Sequence, residues 1–465
     1  MKKEVKRIGI WDITSKCNLK CRHCYNQERY WEKADHYNEL SSEEIEKILD
    51  KLSLMSFTRV HLLGGEPLLA KNIEFLVQYA RKLNLEVTMV SNGTLLDSKM
   101  FINMCMLGVK SISISIDGTN QKENDCIRGE GAFSKTVNNI KNAVKIRETL
   151  GSNILLFLSF TLTKINCRQS YNLPEFAEEL GVDGVNVSYL SNEGAAREEF
   201  DSINVTEEEK FLFIDKVIES HKKHRGVSLH IDARSLLAEY IYKKHGEDLV
   251  TDELGCKGGD KQFYILADGQ MLPCSPAGTS IGQNKKIFSD EVRYPNLILD
   301  SVEDIANSES FIYFYNYTRS TKTYEDIYPC SICKYPCTAC PLLYSVNKNV
   351  DECIMAQTKI KRLDKEIMES IFRRKNNLRI TDMGEKIEIL NFFNQNRYEI
   401  EGVALDIWNR LNGEKPVEQI AEEIFEEYQD NDSISIETVK EDVLQYIYHL
   451  KSLNFIVENE MCLTK

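Results

Sequence analysis

The sequence lacks any long apolar segment. None of its hydrophobic runs reaches the roughly 18–20 residues that a membrane-spanning helix needs. The first residues, MKKEVKRIGIWDIT, begin with basic side chains but contain no apolar stretch long enough for a signal peptide. These two absences predict that the protein has no membrane partner and lies in the cytoplasm.

An excess of positive charge is also missing. The 465 residues include 58 Lys and Arg against 72 Asp and Glu, which gives a net charge of −14. Proteins that bind nucleic acid usually present a basic surface, so we expect no nucleic-acid partner. Residues 376–465 carry most of the imbalance, with 8 Lys and Arg against 19 Asp and Glu. This acidic tail is either a solvated surface or a surface that attracts a basic partner.

Cysteine, by contrast, is abundant, with 14 residues. In a cytoplasmic protein we expect these thiols to be reduced, so metal binding or catalysis is favoured over disulfide formation. Ten of them fall into three groups along the chain. The groups are Cys17, Cys21 and Cys24; Cys256 and Cys274; and Cys330, Cys333, Cys337, Cys340 and Cys353.

Six apolar strands alternate with amphipathic helices in the first half of the chain. The strand candidates are residues 7–12, 59–63, 86–91, 111–117, 154–162 and 184–190. Such alternation predicts a parallel sheet built from βαβ units. Six strands are fewer than the eight of a closed barrel. We therefore expect an α/β fold in residues 1–240, a partial (β/α)6 barrel with a wide mouth for a large substrate.

The pattern changes after the predicted barrel. Residues 250–360 are rich in cysteine and show little periodicity, and short irregular segments of this kind usually need metal to fold. Residues 376–465 then predict a small, winged-helix-like α+β domain. Its elements are a hairpin over 386–390 and 397–401, helices over 403–411, 416–428 and 436–453, and a closing strand over 455–457.

The first cysteine group has the spacing C-x3-C-x2-C and follows the first predicted strand. Its loop should lie at the carboxyl edge of the sheet, where the sites of α/β barrels are found. Three thiolates can bind three irons of a 4Fe–4S cluster, which leaves the fourth iron open to an amine and a carboxylate of a substrate. The alternative is a zinc site that takes His23 as its fourth ligand.

This motif resembles the signature of the radical S-adenosylmethionine (SAM) superfamily, and further segments match in order. Gly64-Gly65-Glu66-Pro67 follows the second predicted strand, and Ser91-Asn92-Gly93 ends the third. Ser115-Ile116-Asp117-Gly118 ends the fourth strand, and Arg128 follows at the spacing found in the family. A partial barrel with these segments at successive strand ends is what the resemblance implies.

The resemblance also implies a role for each segment in binding SAM. The aromatic residue after the third cysteine lies beside adenine, the Gly-Gly-Glu segment at the methionine amino group, the Ser-Asn segment at the ribose, and the later Ser and Arg near the carboxylate. The implied SAM-binding residues are Tyr25, Gly64, Gly65, Glu66, Ser91, Asn92, Ser115, Asp117 and Arg128. In the family, a reduced cluster cleaves SAM to a 5′-deoxyadenosyl radical. An external one-electron reductant such as flavodoxin or ferredoxin is therefore expected.

The later cysteines resemble the SPASM extension of peptide-modifying radical SAM enzymes, although the inner gaps between cysteines are shorter here. The extension implies two auxiliary clusters, and thus three 4Fe–4S clusters in all. By order, Cys256, Cys274 and Cys340 bind the first auxiliary cluster, and Cys330, Cys333, Cys337 and Cys353 bind the second. The first then needs Asp260 as a ligand or keeps an open iron that binds a substrate thiolate. A zinc-ribbon knuckle is the alternative.

The acidic tail resembles the PqqD-like element that recognises peptides in ribosomal-peptide biosynthesis. This resemblance implies that the leader of a ribosomally made precursor peptide adds a strand to the hairpin edge. A winged-helix domain with another role is the alternative. Together the motifs predict a peptide maturase that forms a crosslink, a thioether first and a carbon–carbon bond second. A formylglycine-forming oxidase and a non-catalytic iron–sulfur scaffold are the competing interpretations.

Overall fold

A computed structural model describes most of the chain. The described residues are 6–27, 39–233, 235–249, 257–278, 293–319, 350–390, 396–428 and 434–459. They divide into two compact units, one of Met1–Ser235 with Val250–Asp351 and one of Leu236–Leu249 with Glu352–Lys465. The predicted ligands that lie outside the described residues are Cys256, Cys330, Cys333, Cys337 and Cys340.

The first unit contains a sheet whose described strands run in the order β7-β6-β5-β4-β3-β2-β1-β8-β9. Neighbouring strands from β7 to β8 are parallel, and only β9 pairs in the antiparallel sense. The strands are β1 Arg7–Asp12, β2 Phe57–Leu63, β3 Glu86–Ser91, β4 Ser111–Ser115, β5 Leu155–Leu162, β6 Gly184–Tyr189, β7 Ser228–Ile231, β8 Gln262–Ile265 and β9 Met271–Leu272.

Helices connect these strands and pack on one face of the sheet. The helices of this unit are Ser42–Leu54, Ile73–Lys82, Ser98–Leu107, Gln121–Arg128, Ala132–Leu150, Leu173–Leu180, Phe200–Ile203, Glu207–Lys223, Val302–Ala306 and Glu309–Arg319. Three of them begin at a capping box, in which a Ser or Thr before the helix and the third helical Glu or Asp exchange hydrogen bonds with the backbone. Phe160 of β5 stacks on Phe213 of a covering helix, with ring centroids 5.7 Å apart. Alternate strand residues thus form the core under the helices.

The structure confirms the α/β fold with its parallel sheet. The prediction of six strands was too few, because β7 continues the parallel series and β8 pairs with the other side of β1. Each of these strands has only four residues, which is too short for a clear period-two pattern in the sequence. Among the described helices, none combines the length and the apolar character that crossing a membrane requires.

The second unit is an α+β domain, as predicted. Its described strands form two three-stranded sheets, in the orders β14-β10-β15 and β11-β12-β13. The strands are β10 Ile371–Arg374, β11 Arg379–Asp382, β12 Lys386–Leu390, β13 Arg397–Glu401, β14 Asn412–Pro416 and β15 Ile456–Glu458. The helices are Ser235–His245, Val350–Glu369, Val403–Arg410, Val417–Glu427 and Ile436–Ser452. Trp408 and Phe455 lie in its apolar core.

Candidate cofactor and metal site

The loop that contains the first three cysteines follows β1 and is fixed by two glycines after β2. The backbone N–H of Gly65 donates to the carbonyl of Thr14 at 2.9 Å, and that of Glu66 donates to Lys16 at 2.7 Å. A Cβ on Gly65 would lie only 2.1 Å from the Lys16 carbonyl oxygen, and one on Gly64 would lie 2.4 Å from the Thr14 carbonyl oxygen. Glycine is therefore required here, because the two backbones touch.

The three thiols share one electrostatic environment. Burial is the main reason that the pKa of Cys21 is raised to about 11 and that of Cys24 to about 12, and negative charge on Cys17 contributes to both increases. The positive charge of Arg128 acts on the same two thiols in the opposite sense. Metals bind cysteine as the thiolate, so these groups must release protons when they bind iron.

The three cysteine thiols of this loop are the type of ligand that an iron–sulfur cluster takes. Within the ranges that the structure describes, no three His, Cys, Asp or Glu side chains surround one point closely enough to bind a metal ion. A 4Fe–4S cluster takes one thiolate on each iron, so its ligands need not meet at one point. Nε2 of His23, the fourth ligand of the zinc alternative, lies 2.5 Å from Oδ2 of Asp117.

Asp117 is the centre of a buried polar group beside this loop. Its Oδ2 lies 2.6 Å from Nε of Arg128, and its Oδ1 accepts a hydrogen bond from the backbone N–H of Thr161 at 2.8 Å. Burial alone would raise the pKa of Asp117, but Arg128 and His23 hold it at about 2. The ionised carboxylate therefore positions both Arg128 and His23.

Glu66 joins the ends of β2 and β3. Its fully buried carboxylate accepts hydrogen bonds from Oγ of Ser91 at 2.7 Å and from the backbone N–H of Asn92 at 2.8 Å. Burial nevertheless raises the pKa of the Glu66 carboxyl. The Asn92 side chain donates to Oδ1 of Asn18 at 2.9 Å, which links the third strand end to the cysteine loop.

Ser115 and Tyr25 lie at the same edge. Ser115 ends β4 and is half-buried, and Asp117 follows two residues later. The hydroxyl of Tyr25 lies 3.4 Å from that of Tyr264 on β8, which in turn donates to Oδ1 of Asp12 at 2.7 Å. The sequence interpretation missed Asp12, Tyr264 and the pairing of His23 with Asp117. Only the position of Asp12 at the end of the first predicted strand could have indicated from the sequence that it lies near the site.

Two of the auxiliary cysteines are described. Cys274 is partly buried and packs, together with Tyr25 and Tyr294, against an apolar cluster that includes Tyr264 and Phe314. Cys353 is partly buried on the helix Val350–Glu369. Asp260, the possible oxygen ligand, lies in the turn before β8. The partition of ligands between the two auxiliary clusters stays a prediction.

Three domain families match the chain in sequence. The Radical SAM superfamily matches residues 11–165, the SPASM iron–sulfur cluster-binding domain matches 256–341, and the PqqD family (coenzyme PQQ synthesis protein D) matches 389–456. These matches confirm the resemblances drawn from the motifs. Radical SAM and SPASM domains imply SAM and 4Fe–4S clusters as cofactors.

Curated relatives are a little over a quarter identical to this chain within the aligned residues. An AdoMet-dependent heme synthase of Methanosarcina barkeri is 27% identical over 278 residues, which are 58% of this chain and 76% of the relative. The sporulation killing factor maturation protein SkfB of Bacillus subtilis is 28% identical over 271 residues, 58% of this chain and 60% of the relative.

Among solved structures, Streptococcus suis SuiB bound to S-adenosylmethionine shares the fold, with a TM-score of 0.55, 16% identity and 71% of both chains covered. SuiB bound to precursor peptide SuiA gives a TM-score of 0.52 at 15% identity over 66% of both chains. The chain is therefore an enzyme that carries a radical SAM domain, an iron–sulfur cluster-binding SPASM domain and a PqqD domain, in that order along its sequence.

Proposed function

We propose that this enzyme is a maturase that installs a crosslink in a ribosomally made precursor peptide, with a thioether as the first expectation and a carbon–carbon bond as the second. The observation that carries the proposal is the PqqD domain at residues 389–456, in one chain with the radical SAM and SPASM domains. The similarity to SkfB, named as a maturation protein, and to SuiB supports it.

In this proposal the first unit binds SAM and its cluster. Cys17, Cys21 and Cys24 hold the cluster, and the Gly-Gly-Glu backbone with Ser91, Asn92, Ser115 and Arg128 binds SAM. When bound, these cofactors supply a 5′-deoxyadenosyl radical that can remove a hydrogen atom from a peptide. Asp117 keeps the Arg128 guanidinium beside the thiols, where its charge offsets that of the bound thiolates. Tyr25 would contact the adenine of SAM.

We assign two auxiliary clusters to residues 250–360, between a barrel at 1–240 and a recognition domain at 376–465. Cys256, Cys274 and Cys340 bind one cluster, and the other four cysteines bind the second. With only three cysteines, the first auxiliary cluster either takes Asp260 or offers an open iron to a substrate thiol. A flavodoxin or ferredoxin supplies the electrons from outside.

The recognition domain offers an edge for the leader of the precursor. Within the described residues, β13 pairs with β12 on one side only, and antiparallel strand addition would use its other side. The surplus of Asp and Glu over residues 376–465 favours a leader with basic side chains.

A second candidate function comes from the heme synthase relatives. The chain matches 76% of the length of the Methanosarcina enzyme, so a porphyrin is the alternative substrate class. The PqqD domain favours the peptide. It likewise argues against a formylglycine-forming oxidase, which would oxidise a Cys or Ser of a sulfatase. The scaffold alternative predicts that the reduced protein makes no 5′-deoxyadenosine.

The test uses the full chain reconstituted anaerobically with iron and sulfide, together with SAM, dithionite and the synthetic product of a short open reading frame beside the gene. We expect 5′-deoxyadenosine and a peptide that is lighter by two hydrogens for each crosslink. Alkylation with iodoacetamide separates the bond types, because a thioether removes one alkylatable thiol and a carbon–carbon bond removes none. Iron–coproporphyrin in place of the peptide tests the second candidate. Turnover of the porphyrin with no change in the peptide would contradict the proposal.

A further inference from the structure

The face of the sheet opposite the covering helices is polar over β4 to β7. Leu158 of β5 and Val187 of β6 are buried under helices, whereas their neighbours in sequence point to the other face. On that face Leu155 at the start of β5 is exposed, Gly184 is buried, and the other side chains are half-buried. The half-buried side chains are those of Ser111, Ser113, Ser115, Phe157, Ser159, Thr161, Asn186, Ser188, Ser228 and His230.

Three of these side chains lie in one row across neighbouring strands. Ser159 on β5 is in register with Asn186 on β6, and Asn186 is in register with His230 on β7. Ser115 on β4 continues the row on the other side. Because Asp117 follows Ser115 by two residues, the row lies only about 7 Å along the strands from the level of Asp117.

The hydrogen-bonding groups of the row are not used by the rest of the described chain. The side chains of Ser159, Asn186 and His230 make no hydrogen bond or ion pair to any other described residue. The ring of His230 lies beside that of Phe157, with 6.5 Å between centroids. Gly184 separates Phe157 from Ser228 in the register, and a Cβ there would lie 3.2 Å from Cδ1 of Phe157. Burial lowers the pKa of His230, which favours a neutral imidazole. The row is therefore positioned, accessible and without charge.

We propose that Ser159, Asn186 and His230 form the substrate-facing wall of this enzyme and bind the backbone amides of an extended peptide segment without charged side chains. The inference rests on the proposed function and names the substrate class of that site. Amide, hydroxyl and imidazole groups pair with peptide N–H and C=O groups. A porphyrin instead presents carboxylates, which proteins bind with Arg or Lys. The described strands β4 to β7 carry no Arg or Lys on this face.

The test compares the double variant Ser159→Ala/Asn186→Ala with the wild-type holoenzyme, using the synthetic precursor peptide. Loss of two hydrogen bonds should raise KM for the peptide roughly tenfold or more. The slow, peptide-free formation of 5′-deoxyadenosine and the Kd for the leader segment alone should stay unchanged. Ser111→Ala is the matched control, since this serine is half-buried on the same face but four strand positions farther from the site.

Three other outcomes would contradict the proposed peptide binding by Ser159, Asn186 and His230. An unchanged KM in the double variant, with product still made, would show that Ser159 and Asn186 do not bind the peptide, and the proposed maturase function would stand. A lower KM in Asn186→Asp would show that a basic segment binds there. No product from the wild type with any peptide, together with a spectral shift of iron–coproporphyrin that the double variant abolishes, overturns both the peptide assignment and the proposed function.

Discussion

Each compact unit of this chain contains a cation close to a carboxylate, and the two pairs have different surroundings. In the first unit, Nε of Arg128 lies 2.6 Å from Asp117, and both side chains are less than a tenth exposed. In the second, Nζ of Lys243 lies 3.0 Å from Asp364, whose side chain is 28% exposed. Tyr448 donates to Asp364 at 3.0 Å, and its ring lies 5.2 Å from Nζ of Lys243.

The neighbours of each pair explain its role. Asp117 also contacts an imidazole and a backbone N–H, and the charge of Arg128 lowers the pKa of all three thiols of the cysteine loop. Lys243, Asp364 and Tyr448 come from three helices, and Tyr448 belongs to the apolar core of the second unit. The two ion pairs therefore have different roles. A pair at the carboxyl edge of a parallel sheet positions groups for chemistry, whereas a pair between helices fixes their packing.

The largest expected effect comes from removing the thiols beside the first pair. Changing Cys17, Cys21 and Cys24 together to Ala should abolish formation of 5′-deoxyadenosine from SAM. With three 4Fe–4S clusters, iron should fall from about twelve to about eight atoms per chain after reconstitution. Iron analysis and chromatography of the nucleoside measure the two effects. Cys105→Ala is the control and should change neither. About four irons that fall to none, with zinc bound, would contradict the auxiliary clusters.

The next largest effect is expected from breaking the ion pair between Asp117 and Arg128. Asp117→Ala leaves the Arg128 guanidinium buried without its carboxylate, so the free energy of unfolding should fall by about 3–5 kcal/mol. Urea unfolding under anaerobic conditions measures this loss. Arg22→Ala is the matched control, because Arg22 pairs with Glu199 at the surface and should contribute less than about 1 kcal/mol. Equal losses in the two variants would show that burial of the pair does not matter.

In both units the sequence reveals local elements, whereas it does not reveal contacts between residues far apart in the chain. Strand β3 and the hairpin β12–β13 were predicted to the residue, because their apolar side chains alternate and polar residues bound them. The three-cysteine motif likewise identified the loop of the site. The contact of His23 with Asp117 and that of Tyr264 with Asp12 span 94 and 252 residues. Such contacts depend on strand order and register, and the spacing of residues along the chain does not encode them.

A smaller effect tests the backbone contact that supports the cysteine loop. Gly65→Ala would bring a Cβ to 2.1 Å from the Lys16 carbonyl, so the loop must shift. We expect a cost of about 1–3 kcal/mol, as for other overpacked positions, and weaker retention of the first cluster. Iron content after gel filtration measures retention. Gly151→Ala has no atom within 4 Å of the added Cβ and should keep its iron. Full retention in Gly65→Ala would show that the loop is held elsewhere.

The smallest loss of stability is expected from breaking the pair between Lys243 and Asp364. Asp364→Ala removes an acceptor from Lys243 and Tyr448, but Lys243 keeps Glu239 at 3.4 Å and the carboxylate is partly solvated. The free energy of unfolding should therefore fall by only about 1–2 kcal/mol, while SAM cleavage without peptide stays at the wild-type rate. Arg362→Ala, which breaks an exposed pair on the same helix, should cost about 0.3–0.5 kcal/mol. If Asp364→Ala lowered the free energy of unfolding as much as Asp117→Ala does, the partly solvated pair between helices would contribute as much stability as the buried pair beside the thiols. That result would contradict the distinction drawn between the two pairs.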